Sequence, residues 1–97
     1  MTRENVLITG AGRGIGLALA KRFAEEGFFV IATCRNPDKA DELKALAWEH
    51  EDAVRVIELD VALDESVEQA VNSVSGVVDR LDVLFNNAGI KVGELTD

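Results

Sequence analysis

Thr9-Gly10-Ala11-Gly12-Arg13-Gly14-Ile15-Gly16 is the stretch on which the fold of this chain turns. Asn5-Val6-Leu7-Ile8-Thr9 is a short apolar run leading into the glycines, and it reads as a buried parallel strand. From Gly14 to Glu26 the pattern becomes helical. Ile15, Ala18, Leu19 and Phe23 are expected on the buried face, with Lys21, Arg22, Glu25 and Glu26 toward water. Glycines between a strand and a helix let the chain turn sharply and bring backbone N–H groups close to a ligand. The following helix aims its free N–H groups and the positive end of its dipole at the same spot, a setting suited to a diphosphate.

Outward from this turn, strand and helix patterns alternate. Gly27 suits the left-handed end of the first helix, and Phe28–Thr33 reads as a second buried strand. Asn36 and Pro37 have the residue types of a helix start, with Ala40, Leu43, Ala47 and Trp48 as the buried face of that second helix. Val54–Leu59 is a third strand. Asp64 is placed to cap a third helix, in which Val67, Ala70, Val71, Val74 and Val78 recur at helical spacing. Gly76 weakens that helix by about 1 kcal/mol relative to alanine. Asp82–Phe85 is a fourth strand, followed by a polar, glycine-containing turn. The order β-α-β-α-β-α-β with short connections implies an α/β fold with a parallel sheet and right-handed crossovers.

Composition bounds the function. The 97 residues, 47% hydrophobic and 29% charged, make at most one small soluble domain. Apolar runs are too short and too often broken by charge to span a membrane, and no signal-peptide layout opens the chain. A lone cysteine, Cys34, excludes an internal disulfide and suggests a reduced, cytoplasmic setting. With one histidine, His50, no metal site can be assembled from His and Cys. The formal charge of -8 divides into +1 over residues 1–48 and -9 over residues 49–97. An acidic chain repels nucleic acid, so an anion site must be local and in the first half.

The spacing of the glycines decides between related motifs. A G-x-G-x-x-G pattern would need glycine at 15 or 17, where Ile15 and Leu17 stand. The pattern present, Gly10-x-x-x-Gly14-x-Gly16 after Thr9, resembles the T-G-x-x-x-G-[IL]-G signature of the short-chain dehydrogenase/reductase family at every fixed position. Asp60-Val61 at the end of the third strand resembles the family's adenine-binding pair, although an aspartate there also suits a turn or helix cap. Asn86-Asn87-Ala88-Gly89 matches the family's N-N-A-G motif in full, and Ala32-Thr33-Cys34-Arg35-Asn36-Pro37 resembles the carbonyl-reductase branch that contains the sniffer and C-factor proteins. The resemblance runs from Val6 to Ile90. It implies a Rossmann-type sheet of strand order 3-2-1-4, truncated after strand four, so that residues 1–97 form a nucleotide-binding half-domain.

It also implies a nicotinamide dinucleotide. The residues expected to hold it are Gly10, Gly12, Arg13, Gly14, Ile15, Gly16, Cys34, Arg35, Asp60, Val61, Asn87, Ala88 and Gly89. In NAD-binding Rossmann domains an acid at the end of strand two accepts from the ribose hydroxyls. Here Cys34 takes that position and Arg35 follows it. With Arg13 as a second cation, the site favours the 2′-phosphate of NADP(H) over NAD(H), unless both arginines are merely solvated surface residues. Each hydrogen bond to a charged group contributes about 1.5–3 kcal/mol.

The family's chemistry is hydride transfer between a nicotinamide and a small carbonyl or alcohol. A Tyr-x-x-x-Lys motif serves as acid/base, and a serine orients the carbonyl. The chain contains no tyrosine, and Ser66, Ser73 and Ser75 fall on the third helix, so no catalytic residue is assigned. Lys91 reads as solvated. The expected function is the NADP(H)-binding portion of a reductase, with a carbonyl substrate only in a full-length form. The alternative is a non-catalytic module that senses dinucleotide or pairs subunits. Strand four is expected to be an open edge, liable to pair with a partner or a second copy.

Overall fold

In a computed structural model, which describes residues 3–87, the four strands form one parallel sheet. Strand β1 (Asn5–Ile8) is followed by helix α1 (Gly14–Glu25), β2 (Phe29–Cys34), a 3-10 turn (Pro37–Lys39) and α2 (Asp41–Glu49). Then come β3 (Val54–Glu58), α3 (Asp64–Val77) and β4 (Val83–Phe85). The strand order is β3-β2-β1-β4, as the family resemblance implies. The register places Val6 opposite Val30 and Val83, and Cys34 opposite Glu58.

The apolar run of β1 is buried almost throughout, because it lies between two neighbours with helices on both faces. Alternate strand residues divide between those faces. Val6, Ile8, Val30, Ala32, Cys34 and Val54 join Ala20 and Ala24 of α1 and Leu43 and Leu46 of α2 in the main core. Leu7 and Ile31, also buried, point to the other face. Right-handed crossovers carry α1 and α2 over the first face and, with the return from β3 to β4, α3 over the second. Phe23 continues the first face toward the edge, with its ring 4.7 Å from that of Phe28 and 5.4 Å from that of Phe85. The amino end of β4 is stitched to β1: the Asn5 N–H donates to Asp82 Oδ2 at 2.7 Å, and its side-chain amide to the Arg80 carbonyl at 2.9 Å.

Several expected details differ. The buried stripe of α1 is Gly16, Ala20 and Ala24, whereas Ile15 and Ala18 are exposed. Small residues four apart let the helix sit close to the sheet, and that contact fixes its rotation more strongly than the bulk of Ile15 does. Asn36 makes no side-chain cap, because Pro37 opens a 3-10 turn and α2 begins only at Asp41. The buried face of α2 is Leu43 and Leu46, and Trp48 is 81% exposed. Asp64 is the first residue of α3 rather than its cap, contributing a favourable charge at the amino end. In α3 only Ala70 is buried, and Val67 and Val71 remain exposed.

Candidate functional site

The glycine turn is held to three strands at once. The Ala11 N–H donates to the Thr33 carbonyl at 2.8 Å, and the Thr33 hydroxyl to the Ile8 carbonyl at 3.2 Å. The Thr9 N–H donates to the Phe85 carbonyl at 3.0 Å, and the Thr9 hydroxyl reaches Asn86 Oδ1 at 3.1 Å. The Asn87 side-chain amide donates to the Gly10 carbonyl at 3.2 Å. The Thr and Asn of the two sequence motifs thus meet, tying the ends of β1, β2 and β4 around the turn.

Each glycine has its own reason. Gly10 and Gly14 sit at φ 65° and 61°, in the left-handed region that penalises a Cβ. A Cβ on Gly16 would overlap the Gly10 carbonyl oxygen and stand 2.9 Å from Asn87 Nδ2, so glycine there lets α1 meet the turn. At Gly12 a Cβ would stand 3.3 Å from the Cβ of Cys34. A Cβ on Gly14 would meet nothing within 4 Å. The space over the start of α1 is open for a ligand, and glycine is set there by backbone conformation alone.

Arg13 occupies the position before α1 in extended conformation and makes no side-chain cap; the first turn of α1 carries no acidic residue. The positive end of the 12-residue helix is therefore not neutralised by its own side chains. Arg13, within the turn, and Arg35, just past the end of β2, are both exposed. Cys34 is buried beneath Gly12, part of the core that supports the turn. Burial pushes its thiol up from the ordinary value of 9.0. The Asn36 backbone pulls it down, and the nearby Glu58 carboxylate adds to the rise.

Beyond the ends of β2 and β3, against the start of α3, lies a cleft of about 470 Å³. Arg35, Glu58, Asp60, Glu65, Ser66 and Gln69 all line it. Asp60 fills the turn role that the sequence left open: Oδ1 accepts from the Ala62 N–H at 3.0 Å, and its own N–H donates to Ser66 Oγ at 2.8 Å. Val61 is exposed next to it. Ala88 and Gly89 lie outside the described residues. The sequence reveals no positioned partner for Glu58 and so gives it no role as an acid. Its pairing with Cys34 requires the β2–β3 register, and only the alternation of β3 hinted at it.

The model of the short chain dehydrogenase family matches residues 4–97, and the chain belongs to that family. It is 41% identical over 90 residues to an uncharacterized oxidoreductase, C663.09c, of Schizosaccharomyces pombe, covering 92% of this chain and 35% of that protein. Among solved structures it resembles menthone neomenthol reductase from Mentha piperita, with TM-score 0.83, 33% identity and coverage of 93% of this chain and 33% of that one. It also resembles ElxO with NADP bound, with TM-score 0.78, 36% identity and coverage of 94% and 37%. The chain thus spans about a third of the length of the relatives it matches. Among the described residues, no helix is long and apolar enough to cross a membrane, and no group of His, Cys, Asp and Glu could hold a metal ion.

Proposed function

We propose that residues 1–97 form the NADP(H)-binding portion of an oxidoreductase that moves hydride between the cofactor and a small carbonyl or alcohol in its full-length form. The observation that carries this reading is the pinned glycine turn, with Gly14 open to space at the uncapped start of α1, the exposed Arg13 within the turn and the exposed Arg35 just past β2. The backbone N–H groups at the start of α1 would hold the diphosphate, and Arg13 and Arg35 the 2′-phosphate. Cys34 under the turn presents no carboxylate to repel that phosphate. Asp60, Val61 and Asn87 would border the adenosine, with Ala88 and Gly89 following Asn87 in the chain. The structural relative ElxO carries NADP in its solved form, which supports the choice of cofactor.

The bound nicotinamide would supply the hydride. This chain's described residues supply binding and orientation, and residues 1–97 contain no tyrosine to donate a proton. A second reading is a dinucleotide-sensing or subunit-pairing module, for which the exposed Leu84 and Phe85 of edge strand β4 would form the pairing surface. The setting we propose is cytoplasmic. Calorimetric titration with NADPH tests the first reading: saturable binding with one site per chain is expected, and no heat of binding at millimolar NADPH would refute it. Trp48, exposed near the carboxyl end of α2, lies toward the opposite edge of the sheet and is a poor reporter. Nicotinamide emission is the better optical signal.

A further inference from the structure

We propose that Glu58 is a specificity-determining residue, whose carboxylate opposes the cofactor's 2′-phosphate and accepts from free ribose hydroxyls, so that this chain discriminates NADP(H) from NAD(H) only weakly. The inference rests on the cofactor reading above and refines it. The sequence places two cations, Arg13 and Arg35, toward the cofactor's 2′-phosphate and no acid at the end of strand two. The folded cleft instead sets one cation, Arg35, among Glu58, Asp60 and Glu65.

Two of these carboxylates have local roles. Asp60 closes its own turn through the Ala62 N–H, and Glu65 lies in the first turn of α3, where a negative charge complements the helix dipole. Glu58 has neither role. It is the register partner of Cys34, and the Leu59 N–H donates to the Cys34 carbonyl at 2.9 Å, so the two strands are still paired at this point. Paired residues of parallel strands project to the same side. Glu58 therefore rises on the side of Cys34, the position from which Rossmann domains usually extend their ribose-binding acid. The effect of its charge on the Cys34 thiol agrees with that proximity. Among the described residues the ion pairs are Arg22–Glu26 and Arg80–Asp82, leaving both Glu58 and Arg35 uncommitted. The acid missing from strand two is thus replaced from strand three, beside the arginine that would attract the phosphate.

The test is to titrate the full chain and its Glu58→Gln variant with NADPH and NADH in parallel, at fixed low ionic strength. Removing the carboxylate is expected to tighten NADPH by about threefold to tenfold and to weaken NADH by a few-fold, because one phosphate repulsion and one hydroxyl acceptor disappear together. The preference ratio then moves by about tenfold, equivalent to about 1.4 kcal/mol. Glu58→Lys should move it further in the same direction and serves as the second variant, since an exposed position tolerates either change. A ratio within twofold of the parent in both variants overturns the assignment to Glu58 while leaving the cofactor reading intact. Failure of the parent to bind either nucleotide overturns both.

Discussion

The two faces of the sheet are built to different standards. Under α1 and α2, Val6, Ile8, Val30 and Leu43 are fully buried, and small Ala20 and Ala24 let α1 lie close to the strands. Under α3 the strands contribute Leu7 and Ile31, yet Val71 is 57% exposed and Leu84, on the edge strand, 60%. The tightly packed face is the one that carries the glycine turn, since α1 leaves the turn directly into that core. A backbone cradle for phosphate needs its amides fixed before the ligand arrives, and packing density supplies that rigidity. The α3 face makes no such demand, and its apolar groups remain available to further sequence or to a partner.

The contrast can be broken most sharply by paired truncations. Leu43→Ala should cost about 2–5 kcal/mol, as for other fully buried leucines. Val71→Ala on α3 should stay within about 0.5 kcal/mol. Urea denaturation measures both, and equal losses would show that the two faces are packed alike. Gly16→Ala comes next. Alanine gains about 1 kcal/mol in helix propensity, but its Cβ would overlap the Gly10 carbonyl, a backbone atom that cannot step aside cheaply. A net loss of about 1–3 kcal/mol is expected from the overpacking, with weakened NADPH binding, read in the same denaturation series with and without cofactor.

The strand and helix order and the glycine turn were legible in the sequence, because apolar runs and glycine spacing are local signals; the strand order within the sheet came with the family resemblance. Details that depend on contacts between elements were not. The rotation of α1 follows from a Gly16-Ala20-Ala24 stripe, which a reading by hydrophobic bulk passes over in favour of Ile15. Asn36 and Pro37 look like a helix start, but the chain makes a 3-10 turn there and delays α2 to Asp41. In the site, the motifs pointed to Thr9, Gly10 and Asn87 without showing that Asn87 closes onto the Gly10 carbonyl. The partner of Glu58 became visible only through the β2–β3 register that sets it opposite Cys34.

Smaller effects sharpen the account around the turn. Arg35→Ala should weaken NADPH about tenfold to a hundredfold, the equivalent of one charge-assisted hydrogen bond, and leave NADH nearly unchanged. Equal loss of both would place Arg35 away from the 2′-phosphate. Asn87→Ala removes the tie to the Gly10 carbonyl and should cost about 1 kcal/mol of stability, measurable as a lower denaturation midpoint. The least effect concerns pH. Because burial raises the Cys34 thiol above 9.0, the unfolded chain loses that proton first. The contribution of Cys34 is therefore complete below pH 9.0 and declines as pH rises through the higher folded value. Cys34→Ala should flatten that alkaline decline, and an unchanged slope between pH 8 and 10 would remove the thiol from the account.

The central claim is that the main-chain amides at the start of α1 grip a diphosphate. Amide chemical shifts of the isotope-labelled chain, followed while NADPH is added, test it most directly. The account predicts that the largest saturable shifts fall on residues 12–17, with Arg35 next. Shifts confined to other surfaces, or none at saturating NADPH, would contradict it.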